Sequence, residues 1–321
     1  PRGGADAAAA RWLRLKSVVA TTAARYNGAW GRFEAYCCQR GLCPLPASTE
    51  TVLAYVGCLW RGASVVALSL KPILAAVRKR HLAAGQPNPC DDDRVREAKA
   101  GFRRAGLAYR PVTKLARVPL PAVVAWQLAA LALRSPTVRR HQLTAVVLQF
   151  WWMRRAGDIT RLTLGDVDVR ADGSSAYQVP RHKTEADTGL IARRMPAGVH
   201  PGADLPHVLL TRLVADFRAA GRPPTTRLFT TCRPDAAAAL VTTWLRDGLR
   251  RLGITPAVGT VYASHSLKSG GATAANAAGV NRGAIAALSA TTEPTLAASY
   301  ISSLVVPSVF DRFFFARLLP R

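Results

Sequence analysis

Apolar positions in the first hundred residues recur at helical spacing. Tyr26, Trp30, Phe33 and Cys37 follow one another at intervals of four, three and four, which puts a wide apolar stripe on one face of a helix ending near Gly41. Pro44 and Pro46 make the turn that follows. Ser48 then stands at an N-cap position, and Val52, Val56 and Leu59 carry the spacing on to Trp60. A third helix is predicted from about Ser64 through Ile73 and Val77 to His81. A fourth opens at Asp91, Asp92 and Asp93, whose charge suits a helix N-terminus, and runs through Val95 and Phe102 to about Gly106. These helices make an N-terminal domain of residues 1–109.

Residues 110–121, RPVTKLARVPLP, have three prolines and no apolar period, and read as a basic linker that could itself lie along a polyanion. The remaining residues, 122–321, form a second domain. Pro121 to Arg134 and Thr137 to Arg154 are predicted helices, the second apolar enough to be a buried core helix. Between Asp166 and Pro196 the pattern changes. Asp172-Gly173 marks a turn, and Tyr177-Gln178-Val179 and Gly189-Leu190-Ile191 flank RHKTEAD as two antiparallel strands. Helices return at about Leu205–Ala220, Asp235–Leu252, Ser264–Ala278, Arg282–Ser289 and Thr295–Ser302. The predicted class is mainly α, with a helical N-terminal domain and an α+β second domain carrying a small antiparallel sheet.

Charge narrows the choice of partner. Among 321 residues, 44 Lys+Arg stand against 19 Asp+Glu, a formal net charge of +25, and such an excess favours a polyanion through counterion release. No stretch reaches the roughly 18 consecutive apolar residues of a spanning helix, so no membrane is expected. The excess is spread: up to Arg110 there are 18 basic and 7 acidic residues, with 26 and 12 beyond. Both parts are therefore expected to touch DNA. Arg78, Lys79 and Arg80 near the end of the third helix, Arg103 and Arg104 on the fourth, Lys114 in the linker, and Arg154 and Arg181 beyond it are the candidate phosphate contacts. For the first three the alternative is a favourable interaction with the helix C-terminus.

Cys37, Cys38, Cys43, Cys58, Cys90 and Cys232 form neither paired CxxC knuckles nor an evenly spaced disulfide framework, and read as reduced thiols of an intracellular protein. A zinc site from the first four is the rival reading. Adjacent cysteines point different ways on a helix, so core packing is preferred and no metal is expected. The first residue is Pro1, with neither initiator Met nor signal peptide, which fits a piece of a longer product.

Four separated signals carry candidate chemistry: Arg155 in FWWMRRAGDITRLTLGDVDV, Lys183 in VPRHKTEADTG, His265 in ASHSLKSGGATAANAAGV and Tyr300 in TLAASYISS. A phenol is a poor nucleophile near neutral pH, and attack on a phosphodiester needs fixed donors around the phosphoryl oxygens. Guanidinium, ammonium and imidazole supply these without a metal or another cofactor.

These segments resemble the tyrosine recombinase (phage integrase) family over essentially the whole chain. HSLKSGGATAANAAGV is similar to the His-Ser-Leu-Arg-Ala-Gly-Gly-Ala-Thr segment of the recombinases of DIRS-like retroelements. The N-terminal helices are similar to the family's core-binding domain. The resemblance implies a C-shaped clamp around double-stranded DNA, with residues 122–321 as the catalytic domain. It places Arg155 on the first catalytic arginine, with Asp158 as the acidic residue that follows and Arg154 as the neighbouring alternative that the spacing to Asp158 and Leu162 disfavours, and Lys183 on the hairpin lysine that protonates the leaving 5′ oxygen. It places His265 and Lys268 on the His-x-x-Arg pair, and Tyr300 on the nucleophile. Lys268 departs from the pattern: it keeps the charge but loses the planar fork. Thr291 also departs, standing where a ring of Gly-His or Gly-Trp is usual, nine residues before the tyrosine, with Ala290 in place of the glycine. The aromatic tail with Phe310, Phe313, Phe314 and Phe315 packs either on the chain's own core or, as in the family, on a neighbouring protomer in a dimer or tetramer on DNA. The expected function is site-specific strand cutting and rejoining for integration or excision of a mobile element, inside the cell and in the nucleus of a eukaryotic host. The alternative is a catalytically impaired, recombinase-derived DNA-binding protein.

Overall fold

A computed structural model describes residues 20–63, 69–109, 115–169, 175–179, 191–195, 205–229 and 236–301. The chain divides into two compact units, Pro1–Lys114 and Leu115–Arg321.

The first unit is helical among the described residues: α1 (Ala20–Cys38), α2 (Thr49–Arg61), α3 (Leu70–Ala83) and α4 (Asp93–Tyr109). The predicted stripe is its core: Trp30, Phe33 and Cys37 pack with Val52, Tyr55, Val56, Ile73, Val77, Val95 and Phe102. Ser48 caps α2 as expected, its hydroxyl accepting the Thr51 N–H at 3.1 Å. Asp92 does the same for Arg94 at 2.9 Å ahead of α4. That helix continues one turn beyond the predicted end at Gly106, because no proline or capping residue stops it before Tyr109. His81 is fully buried and spans two elements: Val77 O lies 2.9 Å from Nδ1, and the Ala47 N–H donates to Nε2 at 2.9 Å. With both nitrogens so engaged, the ring orientation is fixed between α3 and the segment before α2.

The second unit begins inside the predicted linker. Strand β1 (Ala116–Arg117) pairs in parallel with β5 (Thr260–Val261), and the Leu120 N–H donates to Ser266 O at 2.9 Å. Helices α5 (Ala122–Leu133) and α6 (Thr137–Trp151) follow, with α6 buried as predicted. The predicted helix end at Arg154 is corrected. The chain leaves α6 at Trp152, and Met153 takes a left-handed backbone (φ 52°), after which Arg155 opens the short helix α7 (Ala156–Thr160). The sheet has three strands where two were expected: β2 (Val167–Val169), β3 (Ser175–Val179) and β4 (Ile191–Met195), all antiparallel. Strand β4 starts at Ile191, where the predicted strand ended; the register Val179↔Ile191 puts the pairing further along the chain. Helices α8 (Leu205–Ala219), α9 (Ala237–Arg251), α10 (Ser264–Ala277), α11 (Arg282–Ser289) and α12 (Glu293–Ser299) complete the described residues.

Helix α6 is the centre of this unit, in contact with α5, α8, α9 and α10. Its residues Val146, Val147, Phe150 and Trp151 share a core with Leu128, Leu209, Leu213, Val241, Leu245 and Leu267. Helix α10 reaches α6 through two glycines. A Cβ on Gly271 would collide with the Phe150 carbonyl oxygen and sit 2.9 Å from Met153 Cγ, and one on Gly270 would collide with the Leu120 carbonyl oxygen. Backbone fills the space that a methyl group would need. Gly271→Ala is therefore expected to lower stability by about 3 kcal/mol or to prevent folding, since the obstructing atoms are main chain and cannot rotate away. Thermal unfolding monitored by circular dichroism checks this, and a melting temperature equal to wild type would show that the helices can separate freely.

Candidate active site

The second unit gathers the sequence-distant candidates around Tyr300. The N-terminus of α10 carries His265 and Lys268 and is held by two neighbouring helices and by a bond within its own first turn. Gln149 of α6 donates to Ser264 O at 3.0 Å, Thr242 of α9 accepts the Ser264 N–H at 2.9 Å, and the Ser266 hydroxyl accepts the Ala263 N–H at 3.1 Å. Donors that a helix start leaves open are thus satisfied, and His265 is set in place. Tyr300 follows the last residue of α12 as its C-cap, whereas a place within the helix was expected. Its N–H donates to Leu296 O, and its carbonyl accepts the Thr273 hydroxyl at 3.0 Å. Buried Leu296 anchors α12 from below.

The Tyr300 ring lies between the two α10 residues. The His265 ring is tilted against it with centroids 5.1 Å apart, and Lys268 Nζ stands 4.5 Å over its centre. His265 and Lys268 were expected on the same side of α10, one turn apart. Both do meet Tyr300, but His265 opens to solvent whereas Lys268 is 1% exposed. The Lys268 ammonium donates to Ser289 O and to the Thr291 hydroxyl, both at 2.8 Å. It is a buried charge at the floor of the group.

Arg155 is exposed at the start of α7, where its N–H donates to Asp158 at 3.3 Å. Arg154 is corrected as a phosphate contact. It is 1% exposed, with Nε 3.4 Å from Asp158 and Nη1 donating to Leu288 O at 3.2 Å, so its guanidinium ties α7 to the end of α11. Arg78, Arg80, Arg103 and Arg104 are exposed on the first unit and Lys79 half-buried; Arg80 also reaches Asn27 at 3.3 Å and lies over the Trp30 ring. Lys183, Arg181, Lys114 and the aromatic tail with Phe310 lie outside the described residues.

Electrostatics couple the members of the group, mostly through repulsion between cations. Partial burial, with the cations Arg117, Lys268 and Arg155, pushes the His265 pKa below that of an ordinary imidazole. Burial, then Arg155 and Arg154, push Lys268 down to about 7, with Asp158 acting the other way. Arg117 was not foreseen. It sits on β1, which the parallel pair with β5 lays alongside the approach to α10, and nothing in RPVTKLARVPLP signals a strand. Two backbone positions beside the site are strained: Met153 before the arginines and Ala290 before Thr291, both left-handed at φ 52° and 46°. Among the described residues no three His, Cys, Asp or Glu side chains gather to hold a metal. Cys37, Cys38, Cys43, Cys58 and Cys90 are free thiols. No described helix is long and apolar enough to cross a membrane.

Solved structures share this architecture. The Tn1549 transposon integrase in complex with transposon right end DNA aligns over 92% of this chain and 94% of its own, with a TM-score of 0.56 at 12% identity. A lambda integrase dimer bound to a COC′ core site aligns over 92% of this chain and 76% of its own, with a TM-score of 0.50 at 16% identity. The fold is that of the integrases. A curated relative, the integrase/recombinase xerD homolog of Selenomonas ruminantium, is 34% identical over 92 residues, and the match spans 28% of this chain and about a quarter, 26%, of that protein. The structural likenesses concern the fold, and the curated match covers only a short part of either protein. No protein-family model matches the sequence.

Within this integrase fold, Ala290 stands at a left-handed C-cap of α11, a position that costs an alanine about 1 kcal/mol and a glycine little. Ala290→Gly should raise stability by about that amount, read from the denaturant midpoint; no gain would mean that the strain is absent in solution. Lys268 gives a pH signature. Its folded pKa of about 7 lies below the 10.5 of an unfolded lysine, so the unfolded chain binds more protons between these values. Stability should therefore rise with pH from about 7 to 10.5, by an amount on the order of a few kcal/mol, and Lys268→Met should flatten that rise. Parallel pH profiles for the two proteins would place the ammonium in water.

Proposed function

We propose that this chain is a DNA strand transferase that cuts and rejoins DNA at specific sites through a covalent tyrosine intermediate. The contact of His265 and Lys268 with the Tyr300 ring, and the electrostatic reach of Arg155 to both, carry this reading, since residues far apart in sequence meet near one phenol. Tyr300 attacks the scissile phosphate, forming a 3′-phosphotyrosyl bond and releasing a 5′ oxygen. His265, kept neutral near pH 7 by its lowered pKa, takes the phenolic proton. Arg155 clamps the phosphoryl oxygens bidentately from the solvent side while the Lys268 charge acts from below. Lys183, on the connection between β3 and β4, protonates the leaving oxygen. A 5′ hydroxyl of another strand then reverses the step, and the covalent bond conserves the phosphodiester energy.

Double-stranded DNA as partner is supported by the net charge of +25 and by the DNA-bound integrases of the same fold. The lambda integrase dimer supports assembly of two or more protomers on that DNA. Integration or excision of a mobile element accords with the transposon integrase, and a DIRS-like retroelement, acting in the nucleus, accords with the segment HSLKSGGATAANAAGV. The first unit, with exposed Arg78, Arg80, Arg103 and Arg104, contributes phosphate contacts of its own.

Denaturing electrophoresis after incubation with nicked DNA from the element's own termini tests the reading. Wild type should leave a protein–DNA adduct, and Tyr300→Phe should leave none while its DNA affinity stays unchanged. An adduct in the variant would move the nucleophile elsewhere, and no adduct in wild type would favour a DNA-binding relic. Binding should weaken steeply with salt as several phosphate contacts exchange with counterions.

A further inference from the structure

A buried ammonium has three N–H donors and needs an acceptor for each. Around Lys268 two acceptors are on the page, the Ser289 carbonyl and the Thr291 hydroxyl, each at 2.8 Å, and the face of Tyr300 lies 4.5 Å away. Thr291 does not merely lie nearby. Its own hydroxyl hydrogen goes to Ser289 O at 3.2 Å, which leaves an oxygen lone pair for the ammonium. Ser289, Thr291 and Lys268 thus close a three-membered ring of hydrogen bonds where the chain leaves α11. The charged groups around it are Arg154, Arg155 and Asp158 from α7 and its approach, with His265 on its own helix and Tyr300 at the end of α12. A guanidinium, with five donors in a rigid fork, would outnumber the acceptors of this niche.

We infer that Thr291 is a positioning residue that acts through Lys268. The two side chains form one unit, in which the threonine hydroxyl favours the ammonium form by accepting its hydrogen bond and fixes it against the Tyr300 ring. The inference rests on Tyr300 being the nucleophile. In that setting the fixed charge stabilises the developing phenolate and the phosphoryl oxygens, and a lysine at 268 and a threonine at 291 are a matched pair.

The test compares Thr291→Val, which keeps the shape and loses the hydroxyl, with Thr291→Ser, which keeps the hydroxyl. The full chain is used, the Lys268 titration is followed by side-chain NMR, and adduct formation is timed from pH 6 to 9. Thr291→Val should move the Lys268 titration to lower pH and slow adduct formation about tenfold near pH 7.5, with recovery on acidification; Thr291→Ser should match wild type in both. If valine misfolds, Thr291→Ala makes the same comparison. A titration unchanged by valine overturns the hydrogen-bond unit. A titration that shifts while the adduct rate does not overturns the positioning role and leaves a structural bond. If wild type itself forms no adduct, the strand-transferase reading fails and the catalytic role with it, while the titration still decides whether Thr291 holds the ammonium.

Discussion

The second unit depends on the approach of two backbones. Helix α10 lies close against α6 and the β1–α5 junction, because Gly270 and Gly271 present no side chain of their own to the carbonyl oxygens of Leu120 and Phe150. Close approach fixes α10 along and about its axis, since any rotation would bring a Cβ-bearing neighbour into the same space. From that one contact follow the directions of His265 and Lys268, the bond from Leu120 to Ser266, and the placement of the strained turn at Met153 that delivers Arg155. The site is an outcome of how tightly two helices pack.

Much of this was legible in the sequence where a signal was local. The stripe Trp30–Phe33–Cys37, the Ser48 cap and the buried helix at Thr137 follow directly from apolar period and capping chemistry. The order of Arg155, His265 and Tyr300, with the residue types suited to phosphoryl chemistry, pointed to the group that the fold assembles. What escaped was non-local. Strand β1 is two residues long and exists because β5 lies alongside it, so no alternation within RPVTKLARVPLP could announce it or the position of Arg117. The burial of Arg154 beside exposed Arg155 turns on the left-handed Met153, a backbone choice that a non-glycine residue does not advertise.

The inward turn of Lys268 was hidden for a related reason. Spacing of three on a helix places His265 and Lys268 on neighbouring positions, yet the side of α10 they share lies at a border between core and solvent. A long flexible side chain at such a border can point either way, and here the acceptors at the end of α11 and just beyond it decide the direction. Sequence patterns report which face a residue occupies. They do not report where on that face the water ends.

The parallel pair of β1 and β5 has a mechanical consequence. Its bonds, Ala116 N–H to Gly259 O and Val118 N–H to Val261 O, lie across the chain direction and are followed by the Leu120 bond to Ser266 in the first turn of α10. Two short parallel strands pulled along their length are loaded in shear, so their bonds share a force where a zipper would open one at a time. Tension on the segment that precedes Leu115 would therefore pass into the strand leading to His265 before it reached the apolar core. The pair acts as a tether between the start of the unit and the helix that carries His265 and Lys268, and a load on one end registers at the other.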